Sequence, residues 1–240
     1  MNAKELFQAG RLTEAVQALS AELRDNPTDA RGRTFLFELL CFAGEYDRAE
    51  RQLDVLSQGG PQSELGAVLY RSALEAERTR QEMFRKREFP SASGAAEPPL
   101  SGRLNGNPFE SLSDGDPRVG AKLEVFAAGS YLWLPLAHVA SIQIAPPRRL
   151  RDLLWTPAGL RTGPGFKGLE LGEVLLPALY AGTWRHPDDA VRLGRSTLWE
   201  EEADGEALPF GQKMLLVDGE EFPLLEVRTL EINAAEQAAG

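Results

Sequence analysis

LFQAGRLTEAVQAL at residues 6–19 returns as LCFAGEYDRAERQL at residues 40–53, and the comparison of these two stretches decides how the first third of the chain folds. At one offset of 34 residues, Leu6 matches Leu40, Ala9-Gly10 matches Ala43-Gly44, Ala15 matches Ala49, and Leu19 matches Leu53. Pro27 and Pro61 extend the series. Each recurring residue type has a physical use. A glycine between two amphipathic segments can take the positive φ of a helix-ending turn. A small alanine lets antiparallel helices approach closely, and a proline stops the second helix of each pair.

A period of 34 residues is that of the tetratricopeptide helix-turn-helix. The spacing predicts helices over about 2–9, 12–24, 30–43, 46–57 and 63–88. The second carries Leu12, Val16, Leu19 and Leu23 at steps of three and four, an apolar face that must pack on a neighbour. The third holds Phe35, Leu36, Phe37, Leu39, Leu40 and Phe42 and reads as the buried centre of the array.

After this repeat the composition changes. Residues 91–107, SASGAAEPPLSGRLNGN, have linker chemistry. Beyond them the periodicity is that of strands. Residues 122–144 read as two strands about an Ala128-Gly129 turn and a third near 141–144. LGEVLLPALY reads as another strand, and KMLLVDGEEFPLLEVRTLEI as a hairpin turning at Asp218-Gly219. A helix is expected over 188–200, capped by Asp188 or Asp189. The expected fold class is α+β: a tetratricopeptide-like α-α repeat over 1–90, a linker over 91–107, and a β-rich mixed domain over 108–240.

Charge and composition narrow the function. The 240 residues carry 36 acidic and 26 basic side chains, a formal net charge of −10. Such a surface is poorly matched to polyphosphate or anionic lipid, so nucleic acid and membrane are not the expected partners. The one cysteine, Cys41, leaves no internal disulfide and fits a reducing compartment. Neither a signal-peptide pattern nor an apolar run of about 18 residues occurs, so a cytoplasmic protein is expected.

Catalytic patterns are sparse. His186 lies beside Asp188 and Asp189, but the chain has only two histidines, and a metal site needs three or four convergent ligands. The plain reading is a loop before a helix N-cap. GPGFKG at 163–168 lacks the Lys-Ser/Thr ending of a phosphate loop, and neither G-x-S-x-G nor H-E-x-x-H occurs. No catalytic, cofactor-binding or metal residue is assigned, although carboxylate pairing in space leaves a hydrolase as the least favoured alternative.

PPRRLRDLLWTPA at residues 146–158 resembles the most recognisable segment of the ImpE family, the SciE-type accessory proteins of bacterial type VI secretion. LEVFAAGSYLWLPLAHVASIQI at 123–144, DDAVRLGRSTLWEEE at 188–202 and GQKMLLVDGEEFPLLEVRTLE at 211–231 resemble the same family in the same order. The AGRLTEAV and AGEYDRAE turns match its N-terminal repeat. The stretch at 107–121 departs from the family pattern, lacking its tryptophan.

The resemblance implies an accessory of the contractile apparatus, without enzymatic activity or cofactor. It implies association with the N-terminal helix of the small sheath subunit, and a link to sheath assembly or to recycling by the ring-shaped unfoldase ATPase. Two surfaces are candidates for the partner. A stack of helical hairpins leaves a groove that an amphipathic helix can enter, with Arg33, Phe37 and Tyr70 as candidate lining. Alternatively the β-rich domain binds through Arg148, Arg149, Arg151 and Trp155, because arginine beside tryptophan is typical of interface hot spots. The alternative role for Trp155 is core packing, with Arg151 and Asp152 paired locally.

Overall fold

A computed structural model describes residues 1–90, 100–163, 166, 168, 170–201, 205 and 207–233. Five helices open the chain: α1 (Ala3–Gln8), α2 (Leu12–Asp25), α3 (Ala30–Phe42), α4 (Tyr46–Leu56) and α5 (Pro61–Lys86). Eight strands follow: β1 (Gly102–Leu104), β2 (Asn107–Phe109), β3 (Leu112–Asp114), β4 (Lys122–Ala127), β5 (Ser130–Pro135), β6 (Val139–Ile144), β7 (Trp155–Thr162) and β8 (Gly172–Pro177). Then come α6 (Asp189–Arg192), β9 (Thr197–Glu201), β10 (Ala207–Gly211), β11 (Met214–Val217), β12 (Glu220–Pro223) and β13 (Thr229–Ile232).

The chain forms two compact units that interleave in sequence. One comprises Met1–Lys86, Ala128–Ser130 and Leu179–Gln212; the other comprises Arg87–Ala127, Tyr131–Ala178 and Lys213–Gly240. The stretch 179–212, expected with the β-rich part, is therefore grouped with the helices. Of the expected linker, 91–99 lie outside the described residues, whereas Gly102–Leu104 pair with Ile232–Leu230 of β13.

In the helical unit the repeated leucines and alanines are the core. Leu12, Ala15, Leu39, Leu40, Ala49 and Leu74 are all fully buried. Gly10 and Gly44 sit at the two turns with φ of +76° and +71°, as the repeat requires. The expected helix over 188–200 shrinks to α6. Gly194, at φ +66°, ends it, and Thr197–Glu201 form β9, paired antiparallel with β10.

The second unit holds an eight-stranded sheet of order β2-β1-β13-β6-β7-β8-β4-β5 and a three-stranded sheet β12-β11-β3. Its core draws on both: Val125, Ile142, Leu160, Leu176 and Leu230 from the large sheet, Leu112 and Leu215 from the small one. Asp218-Gly219 forms the expected tight turn, both residues at positive φ. Asn105-Gly106 does the same between β1 and β2, and the Asn105 carboxamide oxygen accepts from the amides of Arg228 and Thr229.

A buried ionic cluster joins three strands and their flanks. The Lys213 ammonium lies 2.6 Å from Asp114 Oδ2 and also meets Glu124 Oε2. Tyr131 donates to Glu124, and Trp133 Nε1 donates to the Tyr131 hydroxyl. Burial pushes the Asp114 carboxyl up to about 7 against the attraction of Lys213, and the Glu124 charge pushes the same way. The folded protein thus holds this proton more tightly than the unfolded chain. The resulting stabilisation is complete below the unfolded carboxyl range near 4 and fades as pH rises through about 7. Denaturant midpoints measured from pH 5 to 8 should fall with pH, and Asp114→Asn should flatten that fall.

Candidate protein-interaction surface

The turn edge of the helical repeat is covered by the chain's own residues 179–212. At the second turn, Trp184 lies on Gly44 so closely that a Cβ there would stand 2.4 Å from Trp184 Cδ2. Its Nε1 donates to Gln81 Oε1 at 3.1 Å, and the Gly182 amide donates to the same oxygen at 3.0 Å. Arg80 of α5, 2% exposed, donates to Leu179 O at 3.0 Å and pairs with Glu77 at 3.2 Å. At the first turn, Arg195 donates to Phe7 O at 2.6 Å and Gln8 O at 3.0 Å. The Thr13 amide donates to Asp189 Oδ2 at 3.2 Å. Both glycines therefore serve a turn, and Gly44 also leaves room for Trp184.

His186 belongs to this cover. Its Nδ1 accepts from the Asp188 amide at 3.0 Å, which places the proton on Nε2, 3.1 Å from Glu200 Oε1. Asp188 caps α6 through the Ala190 amide. Among the described residues, no group of three or more His, Cys, Asp or Glu side chains is arranged to hold a metal ion. Cys41 is 3% exposed, and burial pushes its thiol well up, the state of a core residue rather than a nucleophile.

The residues singled out from sequence fall in different places. Phe37 is 1% exposed and packs its ring 5.8 Å from that of Tyr70, so it is core and not an open lining. Tyr70 is half-buried. Arg33 donates to Pro27 O at 2.8 Å and Gln52 Oε1 at 2.9 Å, tying α3 to the preceding loop and to α4. Trp155 is 2% exposed at the start of β7, which removes it from any surface and gives it the core role. Arg151 is half-buried. Arg148 and Arg149 are exposed, on a loop whose two amides donate to Asp152 Oδ2 at 2.9 Å.

Sequence reasoning missed the largest apolar exposure in the helical unit. On the first turns of α5, Leu65 is 73% exposed, Val68 53% and Leu69 49%, a row at steps of three and one. Spacing of i, i+3 and i+4 places all three on one face. Further along α5, Ala73 and Ala76 are buried, and Gly129 stands against Ser72. The signal was available in the repeat itself: subtracting the offset of 34 maps Leu65, Val68 and Leu69 onto Arg31, Thr34 and Phe35 of α3. Two of these equivalents are polar, whereas the α5 positions are all apolar. A contiguous apolar row left in water is what a partner-binding helix face presents.

Helical hairpins with glycine turns at a period of 34 residues define a protein of the tetratricopeptide repeat class. The chain belongs to the ImpE family: the sequence model described as ImpE protein matches residues 106–231, and a tetratricopeptide repeat model matches residues 6–76. It is 35% identical, over 96% of its length and 91% of the relative's, to the type VI secretion system accessory component TagJ of Pseudomonas aeruginosa. A Vibrio parahaemolyticus protein solved by X-ray crystallography shares the fold, with a TM-score of 0.81 and 24% identity over 96% of this chain and 97% of that one.

The two glycine turns offer a direct test of the cover. Gly10→Ala should cost about 1–2 kcal/mol, the price of a left-handed alanine. Gly44→Ala should cost about 1–3 kcal/mol more because its methyl meets Trp184. In urea denaturation that excess should disappear in a Trp184→Ala background.

Proposed function

We propose that this protein is a non-catalytic accessory of a bacterial type VI secretion system that captures an amphipathic helix of the small contractile-sheath subunit. The observation that carries the reading is the row Leu65, Val68 and Leu69, apolar and exposed on a helix of a tetratricopeptide-type array. The accessory role is supported by family membership and by the relative from Pseudomonas aeruginosa. The proposed place of action is the cytoplasm, with the sheath subunit as direct partner and the recycling ATPase acting downstream of it. Among the described residues no helix is long and apolar enough to cross a membrane.

The mechanism needs only packing. A partner helix with apolar residues at i, i+3 and i+4 can lay its ridge along the α5 row, and each large apolar side chain buried contributes about 1.5–3 kcal/mol before ordering costs. Glu64 and Glu75 are exposed on the same helix and can orient the partner's polar side without adding much affinity. Arg33 and Phe37 act in this scheme by holding the repeat together, not by touching the partner.

Isothermal titration with a peptide of the cognate sheath subunit's N-terminal helix checks the proposal. Binding at micromolar affinity or tighter, with a negative heat-capacity change, is expected. Val68→Ser with Leu69→Ser should weaken it more than about tenfold, since each removes on the order of 1 kcal/mol or more of apolar burial. Binding that survives this change but fails in Arg148→Glu with Arg149→Glu would move the interface to the exposed loop before β7.

A further inference from the structure

The stretch 179–212 also brings charged groups to the ends of the first helical hairpin. α1 is only 6 residues long and has no basic residue in its last turn. A helix this short does not offset its own nucleation cost. α2 begins after Arg11, which provides no side-chain cap. α4, its counterpart one repeat on, likewise has no side-chain cap, whereas α3 is capped by Asp29, the Arg31 amide donating to Asp29 Oδ1 at 3.0 Å. Besides Glu14 in the first turn of α2, charges that complement these helix ends come from far along the chain. Arg195 bonds the last carbonyls of α1, at 2.6 and 3.0 Å, and stands 5.1 Å from the Phe7 ring centroid. Asp189 accepts from the second residue of α2, Thr13, and Arg192 reaches Thr13 Oγ1 at 3.1 Å and Asp189 Oδ1 at 2.7 Å. Arg195 at the end of α1 and Asp189 at the start of α2 each have the sign their helix end favours, and Arg192 pairs with Asp189.

These contacts differ in kind from those at the second hairpin. The hydrogen bonds of Arg195 to Phe7 O and Gln8 O, of the Thr13 amide to Asp189 and of Arg192 to Thr13 Oγ1 are exposed, with the Asp189 and Arg192 side chains themselves half-buried. Those of Trp184 and Gln81 are partly buried, and Arg80 is buried. Salt weakens exposed charge contacts strongly and buried ones little.

We propose that residues 189–195 form an electrostatic latch on α1. When ionic strength or a competing charge loosens Arg195 and Asp189, α1 frays while α3, α4 and α5 stay folded under Trp184 and Arg80. Release withdraws Phe7 from Phe35, whose rings meet edge-on at 5.7 Å, and opens Leu6, now 7% exposed. The latch would thereby enlarge or close the apolar face of the repeat. Only that last consequence rests on the helix-capture reading; the latch itself is a property of the free protein.

Hydrogen exchange of the full chain, followed by mass spectrometry, tests it without any partner. Between about 0.01 M and about 1 M salt, a range over which the screening length falls about tenfold, exchange in peptides from 1–11 should rise about tenfold, with 30–42 unchanged. Arg195→Gln and Asp189→Asn should show the high-salt exchange already at low salt, and Arg195→Lys should restore part of the protection. The latch is excluded if 1–11 stays equally protected under salt and in both variants, or if protection is lost evenly across α1, α3 and α5.

Discussion

Wherever one helix of a pair ends and the next begins, unpaired carbonyls and unpaired amides stand a few residues apart and must find partners. In this protein the two such turns, at Gly10 and Gly44, are met by one distant stretch, residues 179–212. At the first turn the partners are ions, Arg195 for the α1 carbonyls and Asp189 for the α2 amide. At the second, Trp184 fills the space that the missing Cβ of Gly44 leaves, anchored by Gln81. Much else in the helical unit follows from this arrangement. Arg80 can be buried because Leu179 O and Glu77 receive it, and α1 can be short because its end is held from outside. The dependence also means that residues 1–86 are not a complete structural module.

The second unit rests on a different constraint. Lys213, buried, faces two carboxylates, Asp114 and Glu124, and full ionisation would leave an uncompensated negative charge in a low-dielectric interior. The raised Asp114 proton affinity is the response to that excess. A buried network of this kind adds little net stability compared with apolar packing. Asp114 closes β3 and Glu124 lies in β4, while Lys213 immediately precedes β11, so the cluster links the small sheet to β4.

The proposed function draws on what these two constraints leave uncovered. The turn edge of the repeat is taken by the chain itself, and Phe37 and Trp155 are inside their units. The row on α5 is left, apolar where its equivalents on α3 are partly polar. A solenoid normally closes its last helix with a polar outer face, and the departure at Leu65, Val68 and Leu69 is the feature that a binding role explains and a capping role does not.

The repeat was legible in the sequence because it is local: glycine at a turn, alanine at a close approach and leucine at steps of three and four act through neighbours within one period. The five helices, the Ala128-Gly129 and Asp218-Gly219 turns and strands β4, β5, β6, β8, β11 and β12 were readable for the same reason, whereas β1, β2, β3, β7, β9 and β10 were not. The helix expected over 188–200 failed because an amphipathic start at Asp188 was read past Gly194, and pairing of TLWEE with β10 decided its second half. Trp155 beside three arginines looked like an interface, since composition does not tell which side of a strand faces the core. Thus the sequence alone determined the hairpins, their turns and the family pattern, all set by short-range sterics and hydrophobic periodicity. Only the tertiary structure decided that 179–212 cover the repeat, that Lys213 joins Asp114 and Glu124, and that α5 keeps an open apolar row. Those outcomes depend on residues about 90 to 190 positions apart, whose meeting is a matter of long-range packing that no local propensity encodes.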